Sequence, residues 1–336
     1  MVYIMKRLLV VLSVLLVLFS CGKEKDSKGS VENIFNSKKS NSETSGEAIK
    51  KYNGYVDIYN QVLRVDEDFV RYFEDAGNKE QLNKHENPGI GFNSLNQSFI
   101  DKMKEQAGEA PKMEGLDKSS LDLAAMYEEL LPVFDEVRNY YKGKEFLSDN
   151  YAKGQEIHKK LLEGFKKYNS VVAVFVEEFN KKSNEVFAKE LEMLKKAGRM
   201  IGYNRALVLN TSKKILDELD KQKLNAANVT EGNAEKIKQL HEELGKALTE
   251  LQNSVKDPQP LKKEGYKGGE VDAYINKVLE FKGAVAALIN RIENKVKVDE
   301  FRLKHNFSME NEEGTPEQVY NIYDDIIREY NRLNRN

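Results

Sequence analysis

The residues able to do chemistry are few: one thiol, Cys21, and four imidazoles, His85, His158, His241 and His305. His241-Glu242-Glu243-Leu244-Gly245 begins as a zinc-protease helix does, with an imidazole ligand beside a carboxylate base. That chemistry needs a second histidine four residues on, so that both rings share one helix face. Position 245 is Gly, so the pattern fails and His241 reads as a solvent-side histidine. His158, beside Lys159 and Lys160, reads as a packed or hydrogen-bonded side chain, with metal ligation as the alternative. His85 and His305 lie in polar loops. Gly89-Ile90-Gly91 lacks the third glycine and the preceding strand of a dinucleotide fingerprint. Paired carboxylates such as Asp66/Asp68 and Glu177-Glu178 could serve glycoside hydrolysis, which needs two carboxyls about 5–9 Å apart. In a chain with 32% charged residues they read instead as solvated helix faces. There is no Walker loop and no Gly-x-Ser-x-Gly elbow. These residues give no catalytic site, no metal site and no cofactor, so an enzyme is not expected.

Cys21 has a different context. Lys6 and Arg7 precede a nearly unbroken apolar run, Leu8 to Phe19. About 20 apolar residues are needed to span a bilayer as a permanent helix. This run is shorter and fits the core of a signal peptide. It ends Leu18-Phe19-Ser20-Cys21, which resembles the lipobox of bacterial lipoproteins. Small Ser20 fits a peptidase pocket, and the Cys21 thiol is the nucleophile that accepts a diacylglyceryl group. Lipidation of Cys21 is therefore expected, with residues 1–20 as the leader. Acyl chains on one sulfur, palmitate among them, anchor durably because each buried methylene contributes about 0.8 kcal/mol. Residue 22 is Gly rather than the Asp that favours inner-membrane retention, which points towards the outer membrane if the cell has one. Residues 22–46 are Ser, Lys, Asn, Gly and Glu with almost no apolar content. Such a segment cannot offset the entropy of ordering. With the anchor, residues 21–46 are expected to form a disordered tether.

The remaining chain must carry any site on helices. Gly and Pro number only 21 and 6, which argues against a β-sandwich with frequent turns. A single Cys excludes a disulfide scaffold, and a formal charge of −2 gives no reason to expect nucleic acid. Tyr55, Ile58, Val62, Val65, Phe69, Tyr72 and Ala76 step 3, 4, 3, 4, 3, 4 along one stripe of a helix over 47–76. Val271 to Ile292 repeats those steps. A weak helix over 92–107 and further helices over 118–142, 150–197 and on to about 223, and 230–255 are expected. Pro132 should kink its helix or start a new turn. Gly198 and Gly202 are candidate kinks, and Asp149 or Ser148 can cap the helix that follows. Thr315-Pro316-Glu317-Gln318 has the capping-box pattern for the last helix. The fold class expected is all-α: one elongated antiparallel bundle of six or seven helices over 47–335. Tyr-Asn pairs recur at 52, 59, 168, 203, 320 and 330. They reflect either a duplicated hairpin or Asn placed beside core Tyr, the latter preferred.

Tyr140-Tyr141, Lys144, Phe146, Asp149-Asn150, Ala152-Lys153-Gly154-Gln155 and His158 carry a further signal. With Leu131-Pro132 and Tyr55-Asp57-Tyr59-Asn60, they make residues 47–333 similar to the YiiG-like lipoproteins, bacterial envelope proteins of unknown function. The resemblance implies an all-α extracytoplasmic lipoprotein domain and carries over no catalytic residue.

Two functions are compatible with these features. The first is a non-catalytic, membrane-anchored lipoprotein presenting a helical bundle to an envelope protein or the cell wall. The second is a lipoprotein that binds a small molecule or lipid in an aromatic-lined space between helices, since 16 Tyr and 15 Phe are a large aromatic load. The membrane, through Cys21, is the expected partner in both.

Overall fold

A computed structural model describes residues 42–86, 92–267, 269–304 and 308–334. Cys21, the leader, the tether up to residue 41, Gly89-Ile90-Gly91 and His305 lie outside the described residues.

The described residues form eleven α-helices and no strand. They are α1 Ser42–Ala76, α2 Gln97–Gly108, α3 Glu114–Lys142, α4 Phe146–Asp149, α5 Ala152–Lys196 and α6 Met200–Lys221. Then follow α7 Ala234–Lys256, α8 Pro258–Glu264, α9 Asp272–Glu293, α10 Glu300–Lys304 and α11 Pro316–Asn334. The all-α expectation holds, but the expected six or seven helices are too few. Three of the additional helices, α4, α8 and α10, are 4, 7 and 5 residues long. Between them they bury only Phe146, so they carry no apolar stripe for periodicity to reveal. Also, α1 begins at Ser42, five residues before the expected start.

Local chemistry explains several helix ends. Asp149 accepts from the N–H groups of Tyr151 and Lys153 at 2.9 and 3.0 Å, which fixes the start of α5. Gly198 ends α5 rather than kinking it. Its φ of 62° is left-handed, and the Arg199 N–H returns to the Leu194 carbonyl at 2.9 Å. Pro132 lies inside α3, and no new helix starts there. At α11, Thr315 Oγ1 accepts from the Gln318 N–H at 3.2 Å. The Gln318 side chain reaches back to the Gly314 N–H at 3.0 Å, one residue beyond the usual capping-box partner.

The chain divides into two compact units, and the division falls within α5 after Glu185. In the first unit α1 packs on α2, and α2 on α3. All seven stripe residues of α1, Tyr55 to Ala76, are fully buried. Lys51 is buried too and binds Asp117 of α3 at 2.8 Å. Asp117 also accepts from the Tyr55 hydroxyl at 2.6 Å and the Met113 N–H at 2.8 Å, so this buried pair is satisfied on both sides. In the second unit α6 packs on α7, α7 on α9, α9 on α11 and α11 on α6. Their buried faces are mainly Leu, Ile and Val. Among the described residues no helix is long and apolar enough to cross a membrane.

Candidate functional site

The aromatic load of the first unit gathers inside it. Phe69 of α1 meets Phe134 of α3 at 5.1 Å between ring centroids, and Phe165 and Tyr168 of α5 at 4.9 and 5.2 Å. Phe92, just before α2, closes on Phe134 at 4.2 Å. Further along α1, Tyr59 stacks on Phe179 at 4.4 Å. Phe69, Tyr168, Phe134 and Phe92 are completely buried. These edge-on, tilted and offset arrangements add to the stabilisation from burial.

One acid sits in this apolar interior. Asp66 is 2% exposed. The Tyr168 hydroxyl donates to its Oδ1 at 2.5 Å. Tyr127 Oη lies 3.4 Å from Tyr168 Oη. Because Tyr168 gives its proton to Asp66, Tyr127 is the donor in that second contact. The other oxygen, Asp66 Oδ2, is buried with no hydrogen-bond partner among the described residues. Burial pushes the Asp66 carboxyl up to about 7, against the opposing hydrogen bond from Tyr168. Burial beside Asp66 also holds both Tyr127 and Tyr168 well above the usual phenol range. The arrangement is a neutral-to-anionic carboxyl balanced near neutral pH, half satisfied and walled by rings. Such balance is a mark of functional sites, although structural networks produce it too.

This site corrects the expectation that Asp66 and Asp68 lie on a solvated face. Both are buried. They do not act as a couple, because residues two apart on a helix do not face each other. Asp68 Oδ2 accepts from the Ser94 N–H at 3.0 Å instead. The spacing contained the signal: Asp66 falls four residues after Val62 and three before Phe69, on the apolar stripe. Glu177 is exposed and Glu178 partly so, closer to the expected reading.

His158 and His241 take structural places. His158 is fully buried, with Tyr72 Oη 3.1 Å from Nδ1 and the Lys79 carbonyl 2.8 Å from Nε2. A carbonyl only accepts, so Nε2 carries the proton and Nδ1 accepts from Tyr72. Burial lowers the pKa of His158, which keeps the ring neutral. It is a packed, hydrogen-bonded histidine. His241 is half-buried, with Nε2 3.1 Å from the Lys282 carbonyl. Among the described residues no three His, Cys, Asp or Glu side chains gather in a way that could hold a metal ion. Five of the six Tyr-Asn tyrosines, all but Tyr203, are buried, as expected of core Tyr beside Asn.

The family described as "Protein of unknown function (DUF3829)" matches residues 46–332. The chain belongs to that family. The match begins within α1 and ends within α11, so it takes in the aromatic interior and Asp66. No curated protein and no solved structure matches. Membership therefore brings no activity and no site residue, and Asp66 must be judged by its own surroundings.

Proposed function

We infer that this member of the DUF3829 family is a YiiG-like envelope lipoprotein, anchored through Cys21, whose first unit binds a small organic amine. Support comes from Asp66 Oδ2, a buried carboxyl oxygen that no group among the described residues satisfies, set among ring faces. Buried polar atoms are nearly always satisfied, so an orphan of this kind invites a partner. An ammonium group supplies one. It donates to Oδ2, while Tyr168 holds Oδ1 and the rings face the positive charge. The rings already touch, so the ligand enters by displacing ring contacts. The aromatic side chains of the first unit are largely buried rather than displayed, which favours binding within the helices over presentation of an outer surface to a partner protein or the cell wall.

The cation pairs with the ionised carboxylate, so binding releases whatever proton Asp66 carries. Benzylamine affinity is expected to rise from about pH 6 and to level off by about pH 8 as the carboxyl ionises. Asp66→Asn keeps the shape and removes the charge, and is expected to weaken binding at least tenfold. Calorimetric titration of both proteins across that range checks this. Absence of benzylamine binding, or equal binding by Asp66→Asn, would contradict the assignment.

The anchor has its own test. Cys21→Ser is expected to release the protein from the membrane fraction or to leave the leader uncleaved. Fractionation with an N-terminal mass measurement decides it, and normal processing with membrane retention refutes lipidation.

A further inference from the structure

The second unit buries a cation that has no counter-ion among the described residues. Arg205 of α6 is 2% exposed. Its Nη2 donates to the Tyr330 carbonyl at 3.0 Å and to Asn334 Oδ1 at 3.1 Å, and its Nη1 donates to the Tyr266 hydroxyl. Three tyrosine rings surround it. The guanidinium carbon is 4.6 Å from the Tyr330 centroid, 5.5 Å from Tyr266 and 5.6 Å from Tyr274. Among the described residues no carboxylate pairs with it, and its buried Nε has no hydrogen-bond partner. A guanidinium offers five N–H donors, and the three acceptors here are all neutral.

The contact with Tyr330 places Arg205 near the negative end of α11. That end supplies roughly half an elementary charge, and the ring faces add a weaker attraction. Neither neutralises a full charge out of water. Glu190 is the acid whose charge is felt at Tyr330, and burial raises its own carboxyl well above the usual range. The guanidinium's own contacts are all to neutral oxygens, which leaves its charge without a partner among the described residues.

One of its neutral partners can be replaced. Tyr330 and Tyr274 are buried and sit within α11 and α9. Tyr266 is only partly buried and follows Gly265, which leaves α8 with a left-handed φ of 80°. Its hydroxyl contact with Nη1 is part-buried, whereas the contact with the Tyr330 carbonyl is buried. A carboxylate oxygen arriving there would take the place of the phenol on Nη1 and would bring the missing charge. The Tyr274 and Tyr330 rings would pack against a planar, apolar body.

We propose that Arg205, with Tyr274 and Tyr330, forms a second binding site, for the carboxylate of a small aromatic acid, which displaces the Tyr266 hydroxyl. This site is independent of Asp66, which lies in the other unit and selects the opposite charge.

Equilibrium dialysis of the full chain in detergent, with labelled benzoate and the neutral isostere benzamide, tests the proposal. Saturable benzoate binding at least tenfold tighter than benzamide is expected. Arg205→Met is expected to abolish it. Tyr266→Ala removes the group that must be displaced, and is expected to tighten benzoate about tenfold, since a hydrogen bond to a charged group no longer has to be broken. This variant, together with the benzoate–benzamide pair, keeps the test decisive if Arg205→Met fails to fold. Absence of saturable benzoate binding in both the unaltered chain and Tyr266→Ala would overturn the proposal. Equal binding of benzamide, or retention of benzoate by a folded Arg205→Met protein, would do the same. Competition by inorganic phosphate at lower concentration than benzoate would overturn the carboxylate assignment.

Discussion

Phe69→Ala is expected to lower the unfolding free energy by about 4 kcal/mol, within the range for truncating a buried phenylalanine. The reason is its place in the first unit. The ring is completely buried and meets Phe134, Phe165 and Tyr168 within 5.2 Å, and Phe73 and Phe92 at 6.2 and 6.1 Å. These partners come from α1, α3, α5 and the segment before α2, so no single side chain can relax into the void. Phe69→Leu keeps most of the volume and should cost under about 1.5 kcal/mol. Denaturant unfolding monitored by circular dichroism measures both. A loss below about 1 kcal/mol for the alanine variant would mean that the rings do not form a shared core.

The second large effect depends on pH. Glu190 is 4% exposed, and burial raises its carboxyl from an ordinary 4.5 to about 8, with Arg199 opposing the shift. Its folded pKa lies above its unfolded one, so the native state holds the proton more tightly. The resulting stability is fully present below about pH 4.5 and is lost as the pH rises through about 8. Each unit of difference is worth about 1.4 kcal/mol, so the loss should reach about 3–5 kcal/mol by the alkaline end. Glu190→Gln carries no titrating proton. The two proteins should be similarly stable near pH 4.5, and the variant should be the more stable by that amount above pH 8. Unfolding midpoints across the range check this. A constant difference between the two would show that Glu190 is not held neutral by burial.

The same burial acts on other acids. Asp66 is raised to about 7 and Asp324 to about 6, so both add pH dependence of the same sign over lower windows. His158 opposes them. Burial lowers its folded pKa below 6.5, so its stability is present above that value and declines as the pH falls towards the lowered one. Substituting Glu190 alone separates its contribution from these.

The sequence by itself determined the class of fold and the faces of its longer helices. Helical period is a local property, set by residues three and four apart, so the α1 stripe from Tyr55 to Ala76 is readable without a partner and is buried throughout. The caps at Asp149 and Thr315 were readable for the same reason: donor and acceptor lie within four residues. Tertiary structure alone decided the rest. The short helices α4, α8 and α10 show no period and exist as links between packed elements. Asp66 lies on a stripe the sequence displays, but its role depends on Tyr168, 102 positions away. The partners of Arg205 lie 61 to 129 positions away. Whether a charged side chain ends in water or in a core depends on which distant helix covers it, and no neighbour in the chain carries that information.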